Sequence, residues 1–99
     1  MDKLDWEEAG ECLRVLSHPH RLKVIHLLLE KDYSVGEIAE ACGLLKNVAS
    51  EHLILMKNKG FIKPHKRGRK VYYSIKDPSL ISIIACVKKR FSKLNKEKS

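Results

Sequence analysis

The sequence predicts a mainly α chain with one β-hairpin, an α+β fold, on three observations. Apolar residues recur at helical spacing along five segments. One stretch, residues 61–75, turns instead to β-branched and aromatic residues around a central glycine. The 99 residues, 43% hydrophobic and 32% charged, have the balance of one globular domain over 1–99, since a second would be too small to hold its own core.

Each element has its own signal. Asp5 to Leu16 carries Trp6, Ala9, Leu13 and Leu16 on one helical stripe. Ser17-His18-Pro19 interrupts it, because proline disfavours helix in the residue before it. His20 to Lys31 sets Leu22, Ile25, Leu28 and Leu29 on one side of a second helix. Ser34 followed by Glu37 is a capping-box pattern that starts a short third helix at Val35, with Ile38, Ala39 and Cys42 inward. Gly43 stops it, since glycine accepts the left-handed conformation that ends helices. A fourth helix is expected from Lys46 to Asn58, with Val48, Ala49, Leu53 and Met56 inward, and Gly60 ends it. Phe61–Lys66, a turn at 67–69 and Lys70–Ile75 read as strand, turn, strand. Pro64 cannot donate to a ladder, so its nitrogen should face away from the partner strand. After Asp77-Pro78, a last helix over 79–91 repeats Leu80, Ile84, Val87 and Phe91, a seam suited to pairing with another helix. Residues 92–99 form a polar tail expected to fray.

Charge divides the chain. Residues 1–45 hold nine acids and five bases, whereas residues 46–99 hold three acids and fifteen bases. Between His52 and Lys76 stand eight bases and no acid. Such a one-sided field attracts polyanions. A membrane surface is not the expected partner, because Gly60, Pro64 and Gly68 break the basic stretch and forbid one amphipathic helix. No apolar run approaches the ~18–20 residues that span a bilayer. The opening Met1-Asp2-Lys3-Leu4-Asp5 is acidic where a secretory signal is basic, and three widely spaced cysteines form no disulfide framework. A reducing cytoplasm is the expected setting. The chain is not expected to be an enzyme: it has no nucleophile–base signature and no phosphate-binding glycine loop.

A short helix, a tight turn, a second helix and a basic hairpin follow the order of a winged helix-turn-helix, with the helix pair at 34–58 and the wing at 61–75. An α-helix fits the DNA major groove, where base edges are distinguishable. Lys66, Arg67, Arg69 and Lys70 at the hairpin tip are candidates for the phosphate backbone. The terminal helices at 5–16 and 79–91 carry apolar stripes that so small a domain cannot fully cover. Trp6, Leu13, Ile83, Ile84 and Val87 are therefore candidates for a homodimer interface.

Leu16-Ser17-His18-Pro19-His20-Arg21-Leu22, Ser34-Val35-Gly36-Glu37-Ile38-Ala39, Ser50-Glu51-His52-Leu53, Gly60-Phe61-Ile62 and Arg67-Gly68-Arg69-Lys70-Val71-Tyr72-Tyr73 occur in the order and spacing of the ArsR/SmtB family. The resemblance covers about residues 9 to 91. It implies a homodimeric repressor that binds an inverted repeat in double-stranded DNA and is released by a small effector. Carried over, the DNA-reading face is Lys46, Asn47, Ser50 and Glu51, with His52 beside it. Leu45 departs from the family pattern, which tends to place a serine cap there.

The sensor positions of relatives are altered. A paired-cysteine metal site matches Ser34 and Gly36, and a last-helix site matches Asp77, Ser79, Arg90 and Lys93, so no metal and no cofactor is expected. The Ser34–Glu37 segment is similar to a thiol-sensing branch, whose two cysteines match His26 and a position near Ser92. Cys12 and Cys86 lie on the first and last helices, which the fold would bring together, and form a candidate redox pair within or across subunits. The effector is not identified by these residues. The competing reading is a winged-helix module that docks on protein and reads no DNA sequence.

Overall fold

The computed structural model describes residues 3–92, so all of the expected polar tail beyond Ser92, including Lys93, lies outside the described residues. The order is α1 (Trp6–Leu16), α2 (Pro19–Glu30), β1 (Tyr33–Ser34), α3 (Val35–Cys42), α4 (Lys46–Asn58), β2 (Ile62–Arg67), β3 (Lys70–Ile75) and α5 (Leu80–Phe91). Five helices and a hairpin appear where the patterns place them.

Helix ends follow local chemistry. The Asp5 carboxylate accepts from the Glu8 amide at 3.1 Å and caps α1. Helix α2 starts at Pro19, one residue earlier than expected. Proline is suited to the first helical position, where no partner awaits its missing amide hydrogen. Its cap is His18, whose Nδ1 accepts from the His20 amide at 3.1 Å. The capping box of α3 is complete: the Glu37 amide donates to Ser34 Oγ, and the Ser34 amide donates to Glu37 Oε1 at 2.9 Å.

Two matching closures frame α4. At the end of α3, Leu44 N–H donates to Ala39 O and Gly43 N–H to Glu40 O, with Gly43 at φ 67°. After α4, Phe61 N–H donates to Met56 O and Gly60 N–H to Lys57 O, with Gly60 at φ 82°. Both are Schellman motifs, which need a left-handed residue that glycine supplies without strain. In the second, buried Phe61 follows the glycine and buried Met56 accepts its bond, so the apolar contact that accompanies the motif is available.

The sheet has three strands in the order β1-β3-β2, all antiparallel. Tyr33 pairs with Tyr73 and Ser34 with Tyr72, so the residues just before α3 are a third strand rather than a plain linker. This strand ties the helix pair to the wing. Arg67 pairs with Lys70 across a two-residue turn, Gly68-Arg69. Counting alternate pairs from that turn puts Pro64–Tyr73 in a pair that exchanges no backbone hydrogen bonds. Pro64 therefore sits on an edge strand with its nitrogen turned outward, as expected.

The core lies where α2, α3, α4, β3 and α5 converge. Ile25, Ile38, Leu53 and Met56 are fully buried, with Val24, Leu28, Ala49, Ile62 and Leu80 around them. Ile84 is also in this core, 4% exposed. It was expected at the subunit interface. Its helix packs on α2, and that contact encloses it within one chain. Ile83 and Val87 remain half-buried on α5, while Trp6 and Leu13 stand 67% and 57% exposed on α1. Leu4 and Ile81, which no apolar stripe named, are exposed as well, as is Phe91 at the end of the α5 seam.

Helix α1 packs on α2 and α4, and α5 packs on α2, so the two terminal helices share no substantial face within one chain. Of the two arrangements expected for Cys12 and Cys86, within or across subunits, the first gains no support from this packing. Cys12 is half-buried against the core and Cys86 is exposed.

Replacing Ser34 with Ala removes the acceptor for the Glu37 amide while adding no bulk. The variant should lose about 1 kcal/mol of stability, measured by urea unfolding at fixed protein concentration. An unchanged midpoint would show that the box contributes nothing to α3.

Candidate nucleic-acid interface

Helix α4 buries Ala49, Leu53 and Met56 on one stripe. A helix anchored in this way must present its other side, where Asn47 and Glu51 are exposed; Lys46 is exposed as the first residue of the helix, and Ser50 is half-buried at the edge of the stripe. The wing carries Lys66, Arg67, Arg69 and Lys70, all exposed.

Four of these residues converge. Lys46 and Ser50 from α4, and Arg69 and Lys70 from the wing, line one cavity of about 480 Å³ together with Ser34, Val35, Gly36, Glu37, Glu40 and Val71. The cavity is the groove between the start of α3, the start of α4 and the hairpin. Its cationic wall suits a phosphate backbone, and its serine hydroxyls can donate to phosphate oxygens. Glu37 and Glu40 form an acidic wall that sequence reasoning did not place here. Glu37 accepts the backbone hydrogen bond at Ser34, which holds its carboxyl below the usual carboxylate range, assisted by Lys31 and Lys70. It stays charged, repels anions and favours the ammonium of Lys70.

Arg67 is engaged differently. Its Nη2 donates to Asp32 Oδ2 at 2.9 Å, and its guanidinium lies 4.6 Å from the centre of the Tyr72 ring. His65 Nε2 stands 3.3 Å from the same carboxylate oxygen and stacks on the same tyrosine. Asp32, just before β1, thus draws Arg67 against the sheet and offsets part of its charge. The strand spacing of the wing showed the arginine, but the partner 35 residues earlier in the chain carries no local signal.

His52 was expected beside the reading face. It turns instead toward α2, half-buried, where its Nδ1 accepts from Arg21 Nε at 3.1 Å. Arg21 Nη1 also donates to Val15 O at 2.9 Å, so one guanidinium joins α1, α2 and α4. The rings of His18, His20 and His52 lie within 4.7–5.9 Å of one another. Burial first, then the neighbouring His18, Arg21 and His20, holds His52 below the ordinary histidine pKa, with Glu51 opposing. The network therefore works with a neutral His52 acceptor. His26 stands apart, 3.8 Å from Glu30. Among the described residues no group of three His, Cys, Asp or Glu side chains is arranged to hold a metal ion.

Comparison with known proteins bears on the family and the fold that carry this groove. The family described as "Bacterial regulatory protein, arsR family" matches residues 18–63, from the cap of α2 into β2. The chain is 34% identical over 83 residues to the HTH-type transcriptional regulator YgaV of Escherichia coli (strain K12), covering 83% of this chain and 84% of that protein. It is 32% identical over 85 residues to the transcriptional repressor PagR of Bacillus anthracis, covering 85% of each. Among solved structures, Rv0081 of M. tuberculosis superposes with a TM-score of 0.80 at 26% identity, over 99% of this chain and 98% of that one.

A histidine whose folded pKa lies below its unfolded value contributes stability that is fully present above the unfolded pKa. That stability is lost as the pH falls below about 6.5 toward the folded pKa. His52→Asn keeps an acceptor oxygen for Arg21 and removes the titration. Urea unfolding at pH 7.5 and 5.5 should show the wild type losing stability relative to His52→Asn on acidification. An equal loss in both would place the proton uptake elsewhere.

Proposed function

The chain belongs to the ArsR family of bacterial regulatory proteins, and we propose that it acts in the cytoplasm as a homodimeric transcriptional repressor seated on an inverted repeat of duplex DNA. The observation that carries this reading is the groove in which Lys46 and Ser50 of α4 meet Arg69 and Lys70 of the wing. An exposed helix beside a cationic hairpin suits a major groove flanked by phosphates.

Roles follow from position. Asn47 and Glu51, exposed on the same side of α4, read base edges, with Lys46 and Ser50 at the phosphates or bases beside them. Asparagine pairs in bidentate fashion with adenine, and glutamate accepts from the cytosine amine. Lys66, Arg69 and Lys70 contact backbone phosphates, whereas Arg67 is the wing cation that first has to leave or share Asp32. His52 supports α4 from behind through Arg21 and does not read sequence.

Trp6 and Leu13 on α1, with Ile83 and Val87 on α5, form the subunit interface, and Ile84 does not. A two-fold dimer sets two α4 helices about 34 Å apart, one turn of DNA. Cys12 and Cys86 could meet only across that interface. The protein-docking alternative finds no support in the relatives, whose names are those of transcriptional regulators.

Binding to duplex DNA should weaken steeply as salt rises. Arg69→Ala should weaken cognate and random duplexes alike and reduce the salt slope by about 0.9. Asn47→Ala should cost ~1–3 kcal/mol on the cognate site and little on random DNA. Equal losses on both duplexes would remove Asn47 from the reading face. Leu13→Asp should give folded monomers by analytical ultracentrifugation. Ile84→Ala should instead cost about 2–5 kcal/mol of stability, read by unfolding at fixed protein concentration.

A further inference from the structure

The carbonyl of Leu45 accepts from the Ala49 amide at 3.0 Å, but its side chain neither caps the helix nor joins the core. Leu45 occupies the N-cap of α4, where a hydroxyl or carboxylate normally receives a free helix amide, and makes no side-chain cap bond. Its neighbour Leu44 packs against the core, yet Leu45 is 71% exposed, the highest value among the large apolar residues described. It directly precedes Lys46 and Asn47, at the end of α4 that opens on the cationic groove. In helix-turn-helix docking, the N-terminal residues of the second helix reach the base edges. A leucine there can neither donate nor accept a hydrogen bond. The one apolar feature that a base offers in the major groove is the C5 methyl of thymine.

We propose that Leu45 is a specificity-determining residue that packs on a thymine methyl in each half-site. The proposal rests on the DNA-reading function above and deepens it: α4 gives up its cap for an apolar contact with one base.

The test uses the full chain and duplexes selected by it from a random pool. Each thymine of the selected site is replaced in turn by deoxyuridine, which removes the methyl and keeps the pairing. At one position per half-site the wild type should bind about fourfold more weakly, the effect of one buried methyl. Leu45→Ala should bind the thymine and uracil forms equally. Leu45→Ser restores a capping hydroxyl, so it should unfold at higher urea than the wild type and still lose the discrimination. This separates the base contact from helix stability. A wild type indifferent to every replacement, or a Leu45→Ala that keeps the preference, overturns the inference and leaves DNA binding standing. Failure to enrich any duplex overturns the DNA-reading function itself, and this contact with it.

Discussion

Burial of Ala49, Leu53 and Met56 along a single stripe of α4 is the constraint on which the rest of the molecule depends. These side chains are at most 1% exposed, so α4 cannot rotate about its axis without bringing polar groups into the core. The orientation of Asn47 and Glu51 toward solvent follows from that anchoring. The Schellman closures at Gly43 and Gly60 then fix how the chain enters and leaves the helix. The reading role proposed for α4 would need its exposed groups held within a fraction of an ångström, and packing on the opposite side supplies that rigidity.

Polar contacts refine this seat. The Arg21 guanidinium reaches Val15 O and His52 Nδ1, connecting three helices through one side chain. Asp32 does the same for the wing by holding Arg67 beside β1. Both ties place a cation where charge alone would send it outward. The pair between Arg67 and Asp32 is half-exposed and contributes little to stability. Its effect is on which cations face the groove: Arg69 and Lys70 line it, and Arg67 is partly neutralised.

The terminal helices pose a different physical problem. Trp6, Leu13, Ile81 and Phe91 are all more than half exposed on the two terminal helices of one chain. In the proposed homodimer a second copy would cover these residues. The cysteines depend on the same arrangement, because Cys12 and Cys86 sit on helices that each pack on α2 and share no substantial face within one chain.

Much of this was legible in the residues. Capping boxes, glycine stops and apolar periods act over three or four positions, so the helix from Lys46 to Asn58 and the hairpin turn could be placed from spacing. Even the missing cap at Leu45 was visible as a departure from pattern. Three things were not. The two-residue strand Tyr33–Ser34 is too short to show a period, and it exists because β3 offers an edge. The contacts of His52 with Arg21 and of Arg67 with Asp32 join residues 31 and 35 apart, distances over which no local rule operates. Ile84 and Phe91 belong to the same apolar seam, yet one is enclosed and the other is 60% exposed. Periodicity shows that a face is apolar. Only the packing of α5 on α2 decides where along that face the subunit's own core ends and the surface left for a partner begins.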